Sequence, residues 1–263
     1  MMKTAVIIPA RYESTRFPGK PLINILGQSL IQRVWVQCTK LFSSNDVYIA
    51  TDDDRIERHC EENKMQCIMT STTCLTGTDR VAQAYVNLNK KYDVIINVQG
   101  DEPLIEPIDI LQVLEEYKRS FDLVCCGMCK IKTEDDFRNP NIIKIVCGYQ
   151  NHLLYASRSA IPTNKNLEFK GGYKQVCIYA FSPSTIIAFH NEFKKSTLEL
   201  IEDIEILRFL EIGYDVKMIE VSDASISVDV PEDVEKVKLK LEEIDDRQLY
   251  RSSKGRSILY NRD

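Results

Sequence analysis

The sequence predicts an α/β fold: a mostly parallel sheet flanked by helices, with a mixed-sheet insertion. Three observations carry this. The runs Ala5-Val6-Ile7-Ile8 and Val94-Ile95-Ile96-Asn97-Val98 are apolar almost throughout, as expected of parallel strands covered on both faces. Over the first half of the chain, short β-branched runs alternate with longer stretches of helical periodicity, the rhythm of βαβ units. After Phe121 strand-like runs continue without regular helices between them.

Taken in order, strands are predicted at Thr4 to Ile8, Asp46 to Thr51, Gln66 to Met69 and Val94 to Val98. Between and after them, Leu30 to Leu41, Ile56 to Asn63, Arg80 to Asn87 and Ile108 to Tyr117 carry apolar residues at helical spacing. Leu123 to Cys129, Ile142 to Val146 and Lys174 to Phe181 read as strands of the insertion, about 121–191. One strong helix is expected over Leu198 to Ile212, stopped by Gly213, followed by a strand at Val216 to Val221. Pro231 sits where a first-turn proline belongs and opens a charged helix to about Ile244. Residues 1–244 thus read as a single domain. The polar tail 245–263, basic at Arg247, Arg251, Lys254, Arg256 and Arg262, is expected to be loosely attached, with a partner-docking arm as the alternative.

Composition bounds the function classes. A chain of 263 residues, 44% hydrophobic and 28% charged, buries enough apolar surface to fold without staples, so its nine cysteines need no disulfide role. Cys126 and Cys129 have C-x-x-C spacing, but no second pair or histidine cluster accompanies them, and they read as reduced core residues rather than a metal or redox site. Met1 to Pro9 does not resemble an export signal, and no apolar run approaches the roughly 18 to 20 residues of a bilayer span. With the free thiols, this predicts a cytoplasmic protein without membrane insertion. A net charge of -5 offers no broad attraction to nucleic acid, so any polyanion must be held by a local site.

The first βα connection, Ala10-Arg11-Tyr12-Glu13-Ser14-Thr15-Arg16-Phe17-Pro18-Gly19-Lys20-Pro21, is a candidate for such a site. It lies where open α/β sheets bind ligands, and Arg11, Arg16 and Lys20 suit the oxygens of a polyphosphate. Pro21 replaces the Ser or Thr of a Walker A loop, which disfavours a P-loop ATPase. On residue types alone, a solvated loop with scattered cations explains it equally. Asp101, in Asn97-Val98-Gln99-Gly100-Asp101-Glu102-Pro103, lies just past a buried strand and can hold Mg²⁺ or cap a turn. Asp229, in Ser227-Val228-Asp229-Val230-Pro231, reads as a second metal ligand or as an N-terminal helix acid. Thr76-Gly77-Thr78-Asp79-Arg80 opens a helix whose N–H groups can bind an anion or base edge, although capping alone accounts for Thr78. His59, His152 and His190 lack metal-ligand spacing, and no nucleophile elbow is present.

Taken together, these segments resemble the CMP-Kdo synthetases (3-deoxy-manno-octulosonate cytidylyltransferases) among the sugar nucleotidyltransferases. The resemblance runs from Ala5 to about Leu241 through IIPARYESTRFPGKPL, ATDD, TGTDR, NVQGDEP, NPNIIKIV, LYASRSAIP, CIYAF, LELIEDIEILRFLEIG and VDVPEDVEKV. It implies a nucleotide-diphospho-sugar transferase-like fold and a homodimer built through the insertion. It also implies transfer of CMP from CTP to the anomeric hydroxyl of a 2-keto sugar acid, for lipopolysaccharide or capsule precursors. By the family pattern Arg11, Lys20 and Asp101 are catalytic. Ala10, Arg11, Arg16, Lys20, Thr78, Arg80 and Asp101 contact the nucleotide, and Asp101 and Asp229 bind Mg²⁺. Gln99, Arg158, Gln175, Tyr179, Glu205 and Ile206 fall on the sugar side.

Departures from the family pattern cluster there. Gln175 replaces a usual histidine, Cys177 and Ala180 replace glycines, Ile206 replaces a glutamine, and Cys74 stands for a histidine upstream of TGTDR. The nucleotide side is intact while the sugar side is altered, so the acceptor is expected to be Kdo or a close relative such as an amino-substituted Kdo. The alternatives are a CMP-sialic or other nonulosonic acid synthetase, and a catalytically lapsed nucleotide-binding protein.

Overall fold

The first strand, β1 (Thr4–Pro9), is followed by a hairpin of β2 (Asn24–Ile25) and β3 (Gln28–Ser29) that leads into α1 (Leu30–Thr39). This computed structural model describes residues 2–14, 17–120, 124–192 and 194–244. The chain continues through β4 (Val47–Thr51), α2 (Asp54–Glu62), β5 (Gln66–Met69), α3 (Gly77–Asn87), β6 (Val94–Val98) and α4 (Pro107–Arg119). Next come β7 (Val124–Lys130), α5 (Glu134–Arg138), β8 (Lys144–Cys147), β9 (Leu153–Ser157), β10 (Tyr173–Phe181) and α6 (Pro183–Asn191). The described part closes with α7 (Thr197–Glu202), α8 (Ile206–Glu211), β11 (Val216–Glu220) and a helix, α9, over 231–244.

Apart from β2 and β3, which pair only with each other, the strands form one sheet in the order β11-β7-β10-β6-β1-β4-β5, with β8 beside β10 and β9 beside β8. β1 is parallel to both β4 and β6, β4 to β5, and β7 to β11. β10 is antiparallel to β6 and to β7, so the expected mixed character is real. Within the stretch read as an insertion, β7 and β10 are strands of the main sheet; Phe121 and the tail 245–263 lie outside the described residues.

Alternation along each strand feeds two cores. Ala5, Ile7 and Ile95 face α3, α6 and α8 through Val81, Ile186 and Phe209. Val6, Ile8 and Ile96 face α1, α2 and α4 through Val34, Ile56 and Val113. A third cluster joins Val228, Val234 and Val237 to Ile25, Leu30 and Leu104, which draws the segment before α9 onto the loop before α1. Cys126 and Cys129 are three apart on one strand and fall in opposite cores, so they cannot share a metal. All nine cysteines are free, in line with the core reading.

One expected element is broken. Leu198 to Ile212 is two helices rather than one, because Asp203 takes a left-handed conformation (φ 53°) between α7 and α8. The compensation is a buried ion cluster. Arg208 donates from Nε to Glu199 (2.6 Å) and from Nη1 to Asp79 on α3 (2.7 Å), while its guanidinium lies 3.9 Å from the Phe189 ring centroid. A single cation thus serves two buried carboxylates from different elements. Removing one partner of a buried cluster costs about 3 to 5 kcal/mol. Arg208→Met is therefore expected to lower unfolding stability by about that amount in urea titrations; a loss below about 1 kcal/mol, the scale of an exposed pair, would contradict this role.

Candidate active site

The loop after β1 is held in place by its own backbone. The Ala10 N–H donates to the Ala50 carbonyl (2.8 Å), and the Gly19 N–H returns to the Tyr12 carbonyl (2.9 Å). Gly19 has φ 70°, and a Cβ there would stand 3.1 Å from the Tyr12 ring, so no side chain fits without strain. The Arg55 guanidinium covers the Tyr12 ring at 3.3 Å. Lys20 follows directly at the start of a short 3₁₀ turn over Lys20–Leu22.

Across from it, the chain leaves β6 through Gln99, Gly100 and Asp101. A Cβ on Gly100 would meet the Pro9 carbonyl oxygen at 2.6 Å, so only glycine lets these two strand ends approach. The Val228 N–H donates to the Asp101 carbonyl (2.9 Å), which brings the Asp229 segment beside Asp101. The Lys20 ammonium lies where the three segments meet: Nζ is 2.9 Å from Asp101 Oδ2, 2.8 Å from the Val228 carbonyl oxygen and 3.9 Å from Asp229 Oδ1. The Asp229 N–H donates to Asp233 Oδ2 (3.0 Å), so Asp233 is the acid that closes the first turn of α9. The Asp229 carboxylate faces Lys20 instead.

The cleft divides into two connected cavities of about 710 and 620 Å³. Gln99, Asp101, Arg158, Glu205 and Asp229 line both. Ala10, Arg11, Lys20 and Arg80 line the first, and Gln175, Cys177 and Tyr179 the second. Of the sugar-side set only Gln175 and Tyr179 line the second cavity alone; Gln99, Arg158 and Glu205 lie between the two cavities with Asp101 and Asp229. Arg16 lies outside the described residues.

Two expectations are corrected, at Thr78 and Ile206. Thr78 is buried and absent from the lining of either cavity; its hydroxyl donates to Glu205, accepts from Asn97 Nδ2 (3.2 Å), and the α3 cap is Thr76. Ile206 is fully buried in the core, where an apolar side chain facing the sheet belongs, and does not touch the sugar side. Arg158 lines both cavities, but its guanidinium is engaged by carbonyls: Nε with Glu202 (2.6 Å), Nη1 with Pro140 (3.0 Å) and Nη2 with Asp203 (2.9 Å). Arg80 keeps its edge on the first cavity while paired with Asp52 (2.7 Å) and Thr70 (2.6 Å).

Glu205 accepts from the Gly77 N–H (3.0 Å) and the Thr78 N–H (2.9 Å), so the α3 N-terminus is closed by a protein carboxylate. Burial nevertheless pushes Glu205 upward. On the second cavity, Gln175 Nε2 donates to the buried Tyr179 hydroxyl (2.7 Å), and burial raises that phenol and the Cys177 thiol far above their ordinary values. Cys74 lines the first cavity, its thiol raised by burial. Residues not singled out from sequence also reach the cleft, among them Asn141, Lys195 and Asp203. Of these, Asn141 had a signal within the NPNIIKIV segment and Asp203 within LELIEDIEILRFLEIG, while Lys195 had none.

Among the described residues, no three His, Cys, Asp or Glu side chains gather into a metal cage. Asp101 and Asp229 form a hard-oxygen pair with a cation already between them, Lys20. Such a pair suits a largely hydrated Mg²⁺ that completes its shell from substrate oxygens.

A family model described as cytidylyltransferase matches residues 5–220. The chain is 40% identical over 239 residues to a 3-deoxy-manno-octulosonate cytidylyltransferase of Protochlamydia amoebophila, covering 88% of this chain and 92% of that protein. It is 37% identical over 244 residues to an 8-amino-3,8-dideoxy-manno-octulosonate cytidylyltransferase of Shewanella baltica, covering 91% and 99%. A solved CMP:2-keto-3-deoxy-manno-octonic acid synthetase complexed with CTP superposes with a TM-score of 0.83 at 33% identity, over 92% of this chain and 99% of that one.

Glu102 supplies a pH test of the cleft. Burial, then the Asp101 charge, raises its carboxyl from 4.5 to about 7, against the Ser225 hydroxyl bond. Because the folded value lies above the unfolded one, this group's contribution is full below about pH 4.5 and is lost as pH rises through about 7. The loss is of order 3 kcal/mol. In urea titrations without divalent metal, Glu102→Gln is expected to flatten the decline in stability between pH 5 and 8; an unchanged slope would contradict this assignment.

Proposed function

The chain belongs to the cytidylyltransferase family, and from that premise we propose that it transfers CMP from CTP to Kdo (3-deoxy-manno-octulosonate) or a close amino-substituted relative. The anomeric hydroxyl oxygen of the acid bonds to the α-phosphorus, the bond from that phosphorus to the bridging oxygen breaks, pyrophosphate leaves and the hydroxyl proton is released. The observation that carries this reading is the junction of Lys20, Asp101 and Asp229 between two cavities, one cationic and the other rich in hydrogen-bonding groups.

The first cavity takes CTP. Arg11 and Lys20 hold the triphosphate and neutralise charge gathering on pyrophosphate, with Arg16 assigned beside them by the family pattern. Asp101 and Asp229 would hold Mg²⁺, which when bound lowers the pKa of an attacking hydroxyl and offsets phosphate charge. Lys20 is released from Asp101 toward the phosphates as CTP enters. The second cavity takes the acid. Gln175, Tyr179 and Gln99 face it with amide and phenol groups, Glu205 anchors its floor to α3, and Arg158 supports the wall through backbone carbonyls. Transfer of this kind needs alignment and charge neutralisation more than a protein nucleophile.

We place the enzyme in the cytoplasm as a homodimer that supplies lipopolysaccharide or capsule precursors. Among the described residues no helix is long and apolar enough to cross a membrane. Exposed Leu154, Leu200 and Ile201, on β9 and α7, offer an apolar face for a second copy; Ser157 and Glu202 join these two elements at 2.7 Å.

The test is pyrophosphate release from CTP and Mg²⁺ with Kdo, 8-amino-3,8-dideoxy-manno-octulosonate and a sialic acid. Turnover is expected with one of the first two. Turnover with the sialic acid alone would assign a different acceptor class, and CTP binding without any product would assign a lapsed enzyme. Asp101→Asn is expected to lower kcat by at least about 100-fold while leaving the melting temperature within a few degrees; near-normal turnover would refute its role.

A further inference from the structure

Lys144 is a buried cation that the reaction above does not use. It stands in β8 with no exposed surface, in a strand whose neighbours Ile145 and Val146 are apolar. Its Nζ donates to three backbone carbonyls: Asn139 (2.8 Å), Ile142 (2.7 Å) and Arg158 (2.5 Å). An ammonium carries three N–H donors, so these bonds use all of them. Burial, followed by the Arg158 charge, pushes the Lys144 pKa downward against the pull of Glu202. A methionine of similar volume would pack there without this desolvation.

The three carbonyls belong to two segments, residues 139–142 and the turn at Arg158, which the antiparallel pairing of β8 with β9 sets side by side. Residues 139–142 put Asn139, Asn141 and Ile142 on the wall of the second cavity, and Arg158 forms the adjoining wall. Arg158 in turn reaches back to the Pro140 carbonyl (3.0 Å) and across to Glu202 and Asp203 at the break between α7 and α8. The first cavity shares part of this wall, through Pro140, Asn141 and Arg158, whereas Asn139 and Ile142 line the second alone.

We infer that Lys144 is a positioning residue for the acceptor: its ammonium sets the spacing between the 139–142 loop and the Arg158 turn, and so the shape of the second cavity, without touching either substrate. This inference rests on the proposed function. Its signature is a split between the two substrates, which a residue needed only for folding does not produce.

The experiment measures steady-state kinetics of the wild type and Lys144→Met with CTP and the accepted sugar acid varied in turn, beside thermal melts. In folded Lys144→Met, KM for the acid is expected to rise at least about tenfold while KM for CTP stays within about twofold. Lys144→Gln keeps two N–H donors and is expected to recover part of the loss, and it carries the test if the methionine variant does not fold. A folded variant with an unchanged KM for the acid, or with both KM values raised equally, overturns the inference. Failure of both variants to fold overturns it in favour of a purely structural lysine. Absence of wild-type turnover with every acid would instead overturn the proposed function.

Discussion

The cleft is organised around one ammonium group held near two carboxylates. Lys20 comes from the loop after β1, Asp101 from the end of β6 and Asp229 from the segment before α9, and the three meet only because the sheet and the C-terminal helix bring those ends together. Their side chains are 17%, 28% and 32% exposed, so the pairs contribute at most about 1 kcal/mol to stability. Their value is positional. A weakly held cation between hard oxygens can exchange one partner for another, and the polyphosphate of the proposed substrate provides the competing oxygens.

Packing rather than charge holds this arrangement in place. Gly100 allows the β1 and β6 ends to approach within a distance no side chain tolerates, and the third core cluster draws the Asp229 segment against the loop before α1. On the opposite wall the left-handed turn at Asp203 interrupts what would be one helix. It frees Glu205 to close the N-terminus of α3 and leaves Arg208 to bind Asp79 and Glu199 beneath. The local strain at Asp203 is offset by a buried cluster that ties α3, α7 and α8 into one rigid floor.

The first cavity was legible in the sequence because its signals are local. Arg11, Lys20 and Asp101 sit in loops directly after apolar strands, and strand ends set where such residues point. The second cavity was less legible because its geometry depends on distant contacts. Continuous helical spacing over Leu198 to Ile212 gave no warning of the break at Asp203, and Ile206, expected at the cavity from the family pattern alone, belongs to the core. Thr78 and Thr76 are interchangeable as caps by residue type, and only the approach of Glu205 from 127 residues away turns Thr78 inward. Lys144 gave no signal of burial at all, since a lysine in a short strand ordinarily reads as solvent-exposed.

The most direct test of this account is a crystal structure with CTP and Mg²⁺ bound. The account predicts CTP in the cavity lined by Arg11 and Lys20, the metal between Asp101 and Asp229, and the Lys20 ammonium moved from Asp101 onto the phosphates. A complex in which Lys20 keeps its bond to Asp101 while CTP lies against Gln175 and Tyr179 would contradict it.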